Sequence, residues 1–276
     1  MTMFNLTKLE TPIIMAILNV TPDSFSDGGK FTQLDASIKH AELMLSQGAD
    51  IIDLGGESTR PGAPEVSLDE ELSRVLPVIE KLKSEFGCLI SLDTSKPEVM
   101  REGINSGVDL INDVCALTVG NAVEVVANSN VPVCLMHMQG TPRTMQSEPE
   151  YSDVVTDVSA FLAERINTCL EAGIDKSRIC IDPGFGFGKT LSQNYQLLNR
   201  LDEFESLGLP LLAGLSRKSM IGNLLGLAPD KRALASVICA TLALTKGAKI
   251  LRVHDVAETK QALDLFKATY YGVNHE

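Results

Sequence analysis

Short apolar runs and longer stretches of helical periodicity alternate along the whole chain. The runs are Ile13–Leu18, Ile51–Leu54, Leu89–Leu92, Leu110–Ile111, Val131–Met136, Ile179–Ile181, Leu209–Ala213 and Lys249–Val253. They are apolar at consecutive positions rather than at alternate ones, as in parallel strands covered on both faces. Between them lie segments of 3.6-residue periodicity: Leu34–Gln47, Leu68–Phe86, Pro97–Asn105, Asn121–Asn128, Val154–Ala172, Leu191–Leu201, Ala233–Lys246 and Ala257–Tyr270. Leu72, Val75, Leu76 and Ile79 form one such helical face. Gly48, Gly107, Gly173 and Gly247 stand where helices end and the next run begins. Eight strand–helix units in 276 residues, with no linker or short repeat dividing them, predict a single domain over 1–276. The expected fold is a (β/α)8 TIM barrel, for which ~250 residues is typical. A doubly wound open sheet is the alternative, weakened because no G-x-G-x-x-G follows the first run.

Composition narrows the partners. Hydrophobic residues make up 44% and charged residues 22% of the chain, ordinary values for a soluble globular protein. A formal net charge of −12 argues against nucleic acid or an anionic membrane as the main partner. It leaves room for an anionic ligand in a locally basic pocket. The N-terminus has no basic start followed by an apolar core, and no run reaches the ~18 apolar residues of a membrane helix. The six cysteines are scattered and none form a C-x-x-C pair, so small buried thiols in a reducing compartment are expected. The expected location is the cytoplasm.

In a parallel barrel the chemistry gathers where the strands end. Strand one ends at Asn19 and leads into a loop with Phe25 and Asp27. Strand two runs into Gly55-Gly56-Glu57-Ser58-Thr59-Arg60-Pro61-Gly62. Asp93-Thr94-Ser95-Lys96, Asn112-Asp113, His137, Asp182, Ser216-Arg217-Lys218-Ser219 and Arg252-Val253-His254 follow the other strands. A single Asp, Ser or Thr in such a place is commonly a helix cap. Eight polar ends in succession, with cations among them, are not explained by capping. Asp182-Pro183-Gly184-Phe185-Gly186-Phe187-Gly188-Lys189-Thr190 looks like a phosphate loop, but the P-loop spacing needs glycine where Pro183 stands.

Strands one and eight are neighbours in a closed barrel. Asn19, Arg252 and His254, with Thr59 and Arg60, are therefore expected to form a cationic corner suited to phosphate. The bland alternative is an Arg252–Asp255 surface pair and a capping His254. Asp93, Asn112 and Asp182 come from the other side, where converging carboxylates and an amide can read a flat heterocycle bearing N–H and C=O groups. Lys218 is near enough in strand order to be the partner of Asp182. No thiol stands beside a suitable base and no His-Glu-x-x-His is present. A divalent hard cation joining phosphates to Asn19 and waters fits the residues better than a zinc site.

The loop motifs quoted above resemble those of the bacterial dihydropteroate synthases, in order and over essentially the whole chain. The resemblance implies condensation of 6-hydroxymethyl-7,8-dihydropterin pyrophosphate with p-aminobenzoate, giving 7,8-dihydropteroate and pyrophosphate. It also implies roles. Asp93, Asn112, Met136, Asp182, Phe187 and Lys218 would hold the pterin. Asn19, Thr59, Arg60, Arg252 and His254 would bind pyrophosphate, with Asn19 on Mg2+. Phe25, Pro61, Lys218 and Ser219 would form the aminobenzoate pocket. Asp27, Asp93, Lys218, Arg252 and His254 would act in catalysis, Asp27 helping to stabilise developing charge. Lys189 is expected to be structural, a homodimer is implied, and the loops after strands one and two are expected to act as lids. Two other readings share the pterin-reading residues. A methyltetrahydrofolate–corrinoid methyltransferase needs no pyrophosphate corner, and a non-catalytic pterin-binding relative would lose Asn19, Lys218 or His254.

Overall fold

A computed structural model describes residues 4–21, 30–58, 63–140 and 149–273. The strands are β1 (Ile13–Asn19), β2 (Ile51–Gly55), β3 (Leu89–Asp93), β4 (Leu110–Asp113), β5 (Val133–Met136), β6 (Ile179–Asp182), β7 (Leu212–Ala213) and β8 (Ile250–Val253). All pairings are parallel, in the order β6-β5-β4-β3-β2-β1-β8-β7. A bridge between Ile181 and Leu211, with Ile181 N donating to Pro210 O at 3.0 Å, brings the two edges together. The sheet is thus a (β/α)8 barrel, as the run pattern predicts, and not an open sheet.

The helices are α1 (Lys30–Ser46), α2 (Leu68–Glu85), α3 (Pro97–Asn105), α4 (Ala122–Ala127), α5 (Val154–Glu171), α6 (Leu191–Asn199), α7 (Ser219–Leu225), α8 (Ala233–Thr245) and α9 (Val256–Tyr271). Their starts are written in the sequence. Ser67 and Asp153 accept from the backbone N–H groups of Glu70 and Thr156. Thr190 and Gln193 form a reciprocal capping box on α6. Helix α7 is the one the periodicity does not announce. It spans 7 residues, too few to repeat an apolar face, and Arg232 packs where a side chain on Gly222 would have to go.

Consecutive apolar strand residues serve two different layers. Ile14, Ala16, Leu18, Ile52, Leu54, Ile90, Leu92, Ile111, Val133 and Leu135 point outward into the sheet–helix core. Their neighbours Met15, Ile51, Leu110, Cys134, Cys180, Leu212 and Ile250 point inward and plug the base of the barrel together with Leu6. Burial on both faces explains why the runs show no period-two polarity. Strands β1, β3, β4 and β6 extend one or two residues beyond the apolar runs, to Asn19, Asp93, Asp113 and Asp182. These polar groups are therefore carried by strand backbone rather than by loops.

Candidate active site at the barrel mouth

The strand register sets Asn19 beside Gly55, Gly55 beside Asp93, and Asp93 beside Asn112. Gly55 supplies no side chain between two polar ones. A Cβ there would stand 3.5 Å from Asn19 Oδ1 and 3.7 Å from Asp93 Cβ. Across this row runs the Arg252 side chain. Its Nε donates to Asp53 Oδ2 and its Nη2 to Asp93 Oδ2, both at 2.6 Å. Asn112 Nδ2 lies 3.4 Å from each Asp53 oxygen. Asp53 is completely buried. One guanidinium thus bridges two carboxylates inside the barrel. Burial pushes Asp93 up to about 7, against the opposing pull of Arg252. Burial also works against the Arg252 charge, but Asp53 and Asp93 outweigh it and hold the guanidinium firmly protonated.

Asp182 faces the same space from β6. Its Oδ1 accepts from Gly184 N at 2.7 Å. Burial raises its pKa, opposed by that bond and by the charges of Lys218, Arg252 and Lys189. The next strand leaves a gap here, since a Cβ on Gly214 would sit 3.7 Å from Asp182 Oδ2. Val114, Met136 and Phe187 form an apolar patch with Cys115 and Met138 against it. Lys218 Nζ lies 4.0 Å from the centre of the Phe187 ring. Burial and the neighbouring Arg252 lower Lys218 to about 8. The arrangement offers an apolar face, a cation above it and acceptor oxygens along one edge. That suits a flat ring with polar groups on its rim.

The backbone that carries Lys218 is strained. Arg217 sits at φ 55, in the left-handed region, at a cost of roughly 1–3 kcal/mol for a residue with a side chain. Three side chains hold it there. Arg217 N donates to Ser236 Oγ at 2.8 Å, Arg217 O accepts from Arg232 Nη1 at 3.0 Å, and Arg217 Nε donates to Asp255 Oδ2 at 3.0 Å. Asp255 is therefore the partner of Arg217 and not of Arg252. Ser219 opens α7 and is exposed. Ser216 Oγ accepts from His254 N at 3.1 Å and meets His254 Nδ1 at 3.0 Å, so the loop after β7 orients that imidazole.

Strands β1 and β8 pair, but the register sets Arg252 opposite Met15 and not opposite Asn19. The guanidinium joins Asp53 and Asp93 in the barrel. Phe25, Asp27, Thr59, Arg60 and Pro61 lie outside the described residues, as do most of the expected lids. Beneath the second loop, Lys96 bonds both Glu57 and Glu71, while Thr94 Oγ1 donates to Glu71 Oε1 at 2.6 Å. Asp113 accepts from Ser95 Oγ, from Cys115 N at 2.8 Å and from Leu117 N at 2.7 Å, which makes it a builder of its own loop.

Asp53 is not among the strand-end residues the sequence marks, and the motifs that contain Ser216 and Lys96 give those two no role of their own. Asp53 has a legible signal: it is the lone acid in Ile51-Ile52-Asp53-Leu54-Gly55, two residues from a plug residue and therefore inward-facing. The Lys96 network has none, because Glu71 lies on α2 among other acids.

The pterin-binding enzyme family model matches residues 15–254. The dihydropteroate synthase of Escherichia coli K12 is 55% identical over 261 residues, 95% of this chain and 93% of that one. The chain belongs to the dihydropteroate synthase family of pterin-binding enzymes. Solved members have the same fold. The synthase of Yersinia pestis, in complex with a sulfonamide drug, superposes with a TM-score of 0.91 at 52% identity, over 96% of each chain. That of Xanthomonas albilineans with 4-aminobenzoic acid gives 0.91 at 49%, over 97% of this chain and 98% of that one. In complex with 7,8-dihydropteroate it gives 0.87 at 48%, over 95% of both chains. The synthase described here is an enzyme, a transferase, and among its described residues no helix is long and apolar enough to cross a membrane.

Proposed function

We propose how this barrel mouth carries out dihydropteroate synthesis. The pterin ring of 6-hydroxymethyl-7,8-dihydropterin pyrophosphate enters the slot lined by the Met136–Phe187 patch and Lys218. Asp93, Asn112 and Asp182 meet its polar edge. The observation that carries this assignment is the convergence of three buried hydrogen-bonding side chains and one apolar patch from β3, β4, β5 and β6. An ionised carboxylate accepts two N–H bonds side by side, which matches an amino-pyrimidine edge.

The reaction breaks the carbon–oxygen bond to pyrophosphate, and the electron pair leaves with that oxygen. The exocyclic carbon is left cationic and shares its charge with the electron-rich dihydropterin. Asp93, close by and buried, lowers the energy of that charge, with Asp27 assigned a similar part. The neutral arylamine nitrogen of p-aminobenzoate then forms the new carbon–nitrogen bond and gives up one proton to the departing phosphate or to water. Asn19, Thr59, Arg60, Arg252 and His254 are assigned to pyrophosphate. Phe25, Pro61, Lys218 and Ser219 are assigned to p-aminobenzoate.

Among the described residues no group of three or more His, Cys, Asp or Glu is arranged to hold a metal. Mg2+ bound together with substrate phosphates keeps most of its waters and needs only one or two protein oxygens. Asn19 is assigned to offer one. When bound, the ion would neutralise pyrophosphate charge and make it a better leaving group.

A homodimer is also proposed. Leu234, Ile238 and Leu242 recur at every fourth residue along α8 and are all exposed, as is Leu265 on α9. Sedimentation of a Leu234→Lys, Ile238→Lys double variant as a monomer, against a dimeric parent, would support this face.

The deciding assay is pyrophosphate release from the pterin substrate, p-aminobenzoate and Mg2+, with a sulfonamide as competitor of the amine. Pterin binding without turnover would refute the catalytic assignment.

A further inference from the structure

Lys189 ends the loop after β6 but does not face the slot. The residue is 3% exposed. Its Nζ donates to Gly184 O and Phe187 O, each at 2.9 Å, and meets His137 Nδ1 at 3.0 Å, with His137 O further away at 3.4 Å. An ammonium has three donors and no acceptor. Two serve the loop after β6. In the ammonium form the third points at His137 Nδ1, which accepts it when the imidazole carries its proton on Nε2. Burial and the adjacent ammonium lower the His137 pKa to about 3, which agrees with a neutral ring. Burial also lowers Lys189 to about 7, opposed by the charge of Asp182.

The same loop is gripped from two more directions. Asn194 on α6 accepts from Gly186 N at 2.7 Å and donates to Lys189 O at 3.1 Å. Tyr151, just before α5, donates its hydroxyl to Gly188 O at 2.7 Å. Gly184 and Gly188 lie at φ +72 and +64, and a Cβ on them would stand 1.9 Å from His137 O and 2.5 Å from Gln139 O. The loop after β6 therefore rests backbone to backbone on the loop after β5, an approach only glycine permits. One end of this assembly is the Asp182 carboxylate and the middle is the Phe187 ring.

We propose that Lys189 is a positioning residue for pterin recognition: its buried ammonium locks the loops after β5 and β6 together, fixes His137 as the Nε2–H tautomer, and presets Asp182 and Phe187 for the ring. This rests on the assignment of Asp182 and Phe187 to pterin made above. Lys189 and Tyr151 bond none of the residues assigned to p-aminobenzoate or to pyrophosphate, and the loop they hold meets the amine pocket at Lys218, over the Phe187 ring. Loss of the clamp is therefore expected to act mainly on the pterin substrate.

Steady-state kinetics and 15N imidazole spectra test it in the full-length enzyme. Lys189→Met keeps most of the buried stem and removes the donors. It is expected to raise KM for the pterin substrate about tenfold while KM for p-aminobenzoate stays within about twofold. The His137 tautomer signal seen in the parent is expected to disappear. Tyr151→Phe releases only Gly188 O, is expected to fold like the parent, and should raise the pterin KM alone by about threefold. It decides the matter if Lys189→Met does not fold. Pterin KM within about twofold of the parent in the folded variants, or a parallel rise in both KM values, would overturn the proposal. An unchanged His137 signal in Lys189→Met would overturn it too. Asp182→Ala separates the two levels of inference. If it leaves pterin KM unchanged, the pterin assignment itself fails. If it impairs pterin while both clamp variants behave as the parent, the clamp alone fails.

Discussion

The same strands build two different interiors at the two ends of the barrel. At the base, Ile51, Leu110, Cys134, Cys180, Leu212 and Ile250 meet in an apolar plug. Two residues further along each strand stand Asp53, Asn112, Met136, Asp182, Gly214 and Arg252. That step is one full pleat, about 7 Å. Below it the side chains are interchangeable in kind and matter through volume. Above it they are charged, amide-bearing, absent or, at Met136, part of the apolar patch, and matter through position. Stability and chemistry are thus separated along these six strands by a single alternation, and substitutions at the two levels should fail in different ways.

The strongest challenge to that separation is Arg252, which belongs to both levels. Arg252→Met leaves Asp53 and Asp93 buried without a counter-charge, and loss of one member of such a cluster costs about 3–5 kcal/mol. Denaturant unfolding should show that loss, and the pterin KM should rise along with pyrophosphate affinity. A change confined to pyrophosphate would mean the Asp53–Arg252–Asp93 bridge is not what holds Asp93.

Asp182→Ala tests the mouth alone. Removing a carboxylate assigned to the substrate should lower kcat/KM by about 10²–10³ with little change in melting temperature. Leu110→Ala is the converse test at the base. It should lower unfolding free energy by about 2–3 kcal/mol, the usual cost of a core cavity, while both KM values hold. If the kinetics of Leu110→Ala move as much as its stability, the two levels are mechanically coupled.

The smallest effect is one of pH. Asp93, faced by Arg252, Asp53, Asp113 and Glu71, has a pKa raised from 3.8 to about 7. Between those values the folded chain holds a proton that the unfolded chain has released. Its contribution to stability is therefore fully present below 3.8 and lost as pH rises through about 7. Pterin binding runs the other way, because only the ionised carboxylate offers both oxygens. Thermal melts and pterin titrations between about pH 5.5 and 8 should show stability falling and affinity rising, the latter by about tenfold. In Asp93→Asn both slopes should flatten.

Much of this was legible from the chain. The runs locate every strand, because burial on two faces leaves an unbroken apolar signature. The polar strand ends mark the mouth, because a barrel exposes chemistry there. Asp53 was not singled out, because inside a strand one acid looks like an interruption until the pleat assigns it a direction. The path of Arg252 was not legible either. Sequence places its Cα on β8, but a side chain with several rotatable bonds can reach the phosphate side or the carboxylate side, and only the positions of Asp53 and Asp93 decide. Lys189 was expected to be structural, and the contacts give that role its content. The left-handed backbone at Arg217 left no trace in composition, since glycine would be the usual sign of such a turn.

The Arg252 bridge also has a bearing on how the chain comes off the ribosome. Its bond to Asp53 joins residues 199 positions apart, and the bond to Asp93 spans 159. Both carboxylates are synthesised long before their cation, which arrives on the last strand. Contacts of such sequence separation form late, after the loop-closure entropy has been met. A chain lacking β8 has no guanidinium for these two acids, so the pocket is completed only when that strand is in place.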